Sequence, residues 1–69
     1  MIILTTTNST YYINESTKEM AGGKLPKDNT YILTEIPAIM QGIRNNFHFT
    51  NGQMISTFVK SANQVGHLM

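Results

Sequence analysis

Nucleophilic catalysis in this chain would need a serine beside a histidine and an acid, because there is no cysteine. The serines are Ser9, Ser16, Ser56 and Ser61, and the histidines are His48 and His67. No nucleophile elbow or comparable local motif surrounds any of them, so the combination is one that any chain of this length offers. Paired carboxylates would serve acid–base work. Glu15 and Glu19 are near each other, whereas Asp28 and Glu35 stand alone. A short chain rarely encloses a cleft that shifts a carboxyl pKa, so solvated charges are expected. His48 and His67 have no His-x-His pattern, cysteine or acid pair beside them, so neither a metal site nor a cofactor is expected. The expectation is a protein that is not an enzyme.

Binding chemistry is better represented. Lys18, Lys24 and Lys27 place three of the five basic residues in one polar stretch. Gly22-Gly23-Lys24 offers backbone N–H groups beside a cation, which suits an anion. It is not a P-loop, which needs Gly-x₄-Gly-Lys-Ser/Thr, and a flexible turn is the plainer reading. A second set is Tyr12, Arg44, His48, Met54, Phe58 and Lys60. Aromatic, Met and Arg side chains are favoured at protein interfaces. The same set without Met54 could stack a base and hold a phosphate. Burial in a closed barrel is the other fate open to Tyr12, Met54 and Phe58.

Strands must position these residues, because helical periodicity is nearly absent. Ile2–Thr7 and Thr10–Ile13 are β-branched and aromatic runs around Asn8-Ser9. A two-residue turn there pairs Leu4 with Ile13 and Thr6 with Tyr11. Ile2, Leu4, Thr6, Tyr11 and Ile13 then share the core face. Residues 14–29 read as a loop, with Glu19-Met20-Ala21 as a short strand inside it. Thr30–Ile36 carries apolar residues on both faces and reads as a central strand, ended by Pro37. Pro37 and Gly42 frame one short helical turn near 37–41.

Asn51-Gly52 between two alternating segments signals a hairpin. A three-residue loop with Gly52 in the left-handed bulge position pairs Phe47 with Ile55 and Ile43 with Val59. Ile43, Phe47, Phe49, Ile55 and Val59 then share one face, and Arg44, Asn46, His48, Met54, Ser56 and Phe58 the other. A two-residue loop would mix the faces, so like-with-like burial favours the longer one. The fold class is all-β. It is a small antiparallel meander of five to six strands, either open or closed as an SH3-like barrel. One domain spans 1–60, and 61–69 form a C-terminal tail in which Val65 and Leu68 either dock as an edge strand or fray.

The 69 residues are 41% apolar and 13% charged, with a net charge of +1. A chain of this size makes one small domain of marginal stability. No disulfide can staple it. The charged share is about half the usual ~25%, and nine Thr and seven Asn take up the difference. The pI is about 8.1, below the value of about 9 that dedicated nucleic-acid domains exceed. A net charge near zero removes one barrier to self-association, so a homo-oligomer is expected to be accessible. Ile2-Ile3-Leu4 is far shorter than a secretory apolar region of about 7–15 residues or a membrane span of about 20. Cytoplasmic residence without membrane contact is the expectation. The sequons at Asn8 and Asn14 then read as chance products of an Asn/Thr-rich sequence. Met1 and the lack of a tag suggest a complete short gene product.

An ordered series runs through the chain: Thr6, Ser9-Thr10, Tyr12 and Ile13-Asn14 in the first hairpin, Ile36-Pro37-Ala38 before Gly42, then Gly52 and Ser56-Thr57-x-Val59. It resembles small, uncharacterised β-rich proteins of bacteriophages and prophages over about 50 of the 69 residues. The basic residues often found in the loop of those proteins are thin here. The resemblance implies a phage-type accessory protein in the host cytoplasm and carries over no catalytic residue. The functional expectation is a binding protein that masks a host factor such as a defence component. As a homo-oligomer it would also be able to hold a small anionic nucleotide between subunits. The other expectation is a small-barrel nucleic-acid binder.

Overall fold

The computed structural model describes residues 1–65. The expectations placed on His67 and Leu68 lie outside the described residues. Six antiparallel strands form one sheet: β1 (Ile2–Thr6), β2 (Thr10–Asn14), β3 (Glu19–Gly22), β4 (Tyr31–Ile32), β5 (Ile43–His48) and β6 (Met54–Gln64). Their order is β4-β3-β2-β1-β6-β5. The first four run as a meander, and the chain then returns to lay β6 against β1. Among the described residues there is no helix, and so none long and apolar enough to cross a membrane.

The sheet curls into a half-barrel whose two ends meet at one bridge, Leu33 opposite Phe49. Thr34 N–H donates to His48 O at 3.0 Å and Thr50 N–H to Ile32 O at 2.8 Å across that seam. Tyr31 and Phe49 pack edge-to-face behind it with ring centroids 5.1 Å apart, an arrangement that suits the ring quadrupoles. Leu4, Tyr11, Ile13, Met20, Leu33, Phe47 and Val59 fill the concave side, and Ile36, Ile39 and Ile55 pack around them.

The β5–β6 hairpin has the register its sequence predicts, Ile43 opposite Val59 and Phe47 opposite Ile55. Gly52 adopts φ 91° in its loop. Ile43 shares the inner parity but stays exposed at the end of β5. The first hairpin differs from expectation. Leu4 faces Tyr11 and Ile2 faces Ile13, a shift of two residues. The loop is longer than two residues because Thr6 closes it: Thr6 Oγ1 donates to Ser9 O at 3.1 Å and accepts from Ser9 N–H at 3.0 Å. A shift of two preserves the side-chain alternation, so the expected core face survives.

Three other expectations are corrected. The strand expected over Thr30–Ile36 shrinks to Tyr31–Ile32 at one end of the sheet. Its partner β3 begins at Glu19; Leu33 N–H still donates to Lys18 O at 2.9 Å, and with Lys18 at φ 65° the pairing ends there. The helical turn near 37–41 does not form. Met40 N–H instead donates to Asn45 Oδ1 at 3.0 Å, and Asn45 Nδ2 donates to Met40 O at 2.8 Å and Ile43 O at 3.0 Å. One buried amide thus satisfies the polar groups that a helical turn would have paired with one another. Finally, the sheet does not stop at residue 60. β6 continues through Ser61–Gln64 against β1, with Ile2 opposite Gln64, and Val65 N–H donates to Met1 O at 2.8 Å.

Asn45→Ala removes all three of these hydrogen bonds from a buried position. The expected loss is about 2–3 kcal/mol, read as a lower denaturant midpoint at unchanged m-value. A midpoint within error of the parent would show that the 36–42 segment contributes nothing to stability.

Candidate functional site

β1 and β6 pair down to Thr6 opposite Val59, and there the pairing ends. Thr5 faces Ser61 while Thr6 faces Val59, so Lys60 is the extra residue of a β-bulge. Bulges increase local twist. Beyond this one the β1–β2 and β5–β6 hairpins splay apart. The splay is a half-open cleft of about 520 Å³. One wall is the turn Thr6–Ser9, and the other is Ile55–Phe58 with Arg44. Tyr11 and Lys24 complete it.

Lys24 reaches this cleft because of two glycines. Gly22 (φ 94°) and Gly23 (φ 53°) both occupy left-handed backbone space. A Cβ on Gly22 would lie 2.6 Å from Thr10 O, and one on Gly23 would overlap the Tyr11 ring. The chain therefore folds flat over Tyr11, whose hydroxyl accepts the Lys24 N–H at 3.2 Å. Arg44 is held from the opposite side, its guanidinium donating to Ser56 O at 3.0 Å. Among the described residues no carboxylate lines the cleft, whereas Thr6, Thr7, Ser9, Tyr11, Ser56 and Thr57 bring hydroxyls to it.

The expected lysine group is thus divided. Lys24 lines the cleft. Lys18 sits in the β2–β3 turn at the opposite end of β3, and Lys27 is exposed in the loop before β4. The second set divides too. Arg44 lies opposite Phe58 and His48 opposite Met54, all exposed on the convex face of one hairpin. Tyr12 is likewise exposed, at 42%, but lies across the sheet on β2, separated from that hairpin by β1. Met54 is 50% and Phe58 39% exposed, so curling of the sheet does not bury them. Lys60 is exposed at the bulge.

Charge segregates along the chain, and the fold gathers the acid-free part into one hairpin. Residues 43–64 contain Arg44, His48 and Lys60 and no acid, while Glu15, Glu19, Asp28 and Glu35 all precede them. Glu15 accepts from the Met1 ammonium at 3.0 Å and from the Gln64 side chain. Among the described residues no three metal-ligating side chains cluster, and every buried side-chain polar atom has a partner. Buried Thr6 and Asn45 are therefore accounted for by turn and segment closure. Compared with known proteins, the chain matches no family model, no curated protein and no solved structure.

Proposed function

We propose that this chain is a non-enzymatic interaction protein of phage type that binds and masks a host protein in the host cytoplasm. The carrying observation is the convex face of the β5–β6 hairpin, where half-exposed Met54 and Phe58 stand beside Arg44 and His48 on a segment without acids. Apolar anchors beside the Arg44 guanidinium suit an acidic protein surface. The anchors supply area, and the charges supply orientation and on-rate. The low overall charge makes a homo-oligomer a natural form of the same protein.

The test is capture of host protein by immobilised parent and by a Met54→Ala/Phe58→Ala variant with matched circular dichroism. A stoichiometric partner that survives 200 mM salt and is lost at least tenfold with the variant supports the reading. Equal capture by the variant removes this face as the interface.

The juxtaposition of Arg44 and Phe58 favours one second reading, a nucleic-acid face. Two cations, Arg44 and Lys60, on phosphates would make affinity fall about 7- to 12-fold between 50 and 200 mM salt. A partner contact anchored on Met54 and Phe58 would change little over that range.

A further inference from the structure

We propose that the cleft between the two hairpins is a binding site for a small phosphorylated ligand of mononucleotide size. Lys24 and Arg44 lie 20 positions apart in sequence, yet they line one concavity to which no carboxylate among the described residues contributes. Two cations without a counter-anion in a common cleft attract an anion, and the recess excludes part of the solvent that would screen them. Arg44 spends one donor on Ser56 O and has four more to offer. Tyr11 Oη accepts the Lys24 N–H, which leaves its own proton to give. Thr and Ser hydroxyls on both walls add donors without charge.

This donor set fits the several acceptor oxygens of a phosphate monoester better than it fits a single carboxylate. The size points the same way. About 520 Å³ lies within the range of about 300–1,000 Å³ typical of small-ligand sites and exceeds what an inorganic ion needs. Phe58 lines the cleft with its ring half-exposed, so a base can stack there while the phosphate meets the cations. The site shares Arg44 and Phe58 with the protein-docking face but does not rest on that reading, because Lys24 lies off the hairpin and Met54 lies outside the cleft.

The experiment is titration of ¹⁵N-labelled protein with AMP, adenosine and the single strand dT₈, repeated on Lys24→Met. The expected result is that AMP shifts the amides of Ser9, Lys24, Arg44 and Phe58. Adenosine should bind at least tenfold more weakly, and Lys24→Met should lose at least fivefold for AMP at unchanged melting temperature. Arg44→Met serves as the second variant and should lose a similar factor. Three results would overturn the proposal: no shift at millimolar AMP, equal affinity for adenosine, or dT₈ binding tighter than AMP with shifts spread to His48 and Lys60. The last outcome would assign the cations to a nucleic-acid backbone.

Discussion

Gly23→Ala is expected to cost about 2–4 kcal/mol, while the same change at Gly52 costs only about 1. Both glycines have positive φ, 53° and 91°, so both substitutions carry the left-handed penalty of about 1 kcal/mol. Only at Gly23 does the added methyl meet something. It would overlap the ring of Tyr11, which is buried and anchored through its hydroxyl to Lys24 N–H. Around Gly52 there is open space. Forcing an extra methyl into a packed site costs about 1–3 kcal/mol more. Thermal or denaturant unfolding of the two variants side by side isolates that difference. Equal losses would mean that the loop lifts off Tyr11 freely, and that Lys24 is not held at the cleft. The variant therefore also reports on the anion site, because a loop pushed away from Tyr11 takes its cation with it.

Phe47→Ala is expected to leave the protein largely unfolded at 25 °C. Phe47 is fully buried on the inner face of β5, opposite Ile55. Truncating a buried Phe costs about 3–5 kcal/mol, transfer and cavity together. In a domain of 69 residues a single core rarely supplies more than about 3–5 kcal/mol in total. The loss thus takes most or all of the margin, and no disulfide compensates. Loss of the dispersed amide spectrum would bear this out, and a variant retaining more than half of the parent's stability would contradict it. Phe47→Leu, which keeps most of the volume, should retain the fold.

The two hairpins show how far local sequence reaches. In β5–β6, Asn51-Gly52 selects the loop, and the loop selects the register, because only one register puts Phe47, Ile55 and Val59 together. In β1–β2 the faces are legible while the register is not. Alternation has period two, so a shift of two leaves every side chain on its own face. What moves the register is the Thr6 side chain closing a longer loop, and a threonine among three carries no such signal. The segment 37–41 has helical punctuation but meets Asn45, whose amide binds Met40 on both sides. Propensity yields there to a tertiary hydrogen bond.

By itself, the sequence determined that this protein is all-β, small and free of disulfides, with a hairpin whose convex side carries Arg44, His48, Met54 and Phe58. These properties follow from residue type, alternation and turn chemistry, which act over a few neighbours. The tertiary structure alone decided that Ser61–Gln64 complete β6, since β1 needs a second partner and backbone ladders ask nothing of the side chains they join. It alone decided that Lys24, apart from Lys18 and Lys27, lines one cleft with Arg44. That shared cleft depends on the order β2-β1-β6-β5 and on the bulge at Lys60. Strand order is set by which edges remain to be satisfied once the local hairpins exist, and no spacing along the chain records it.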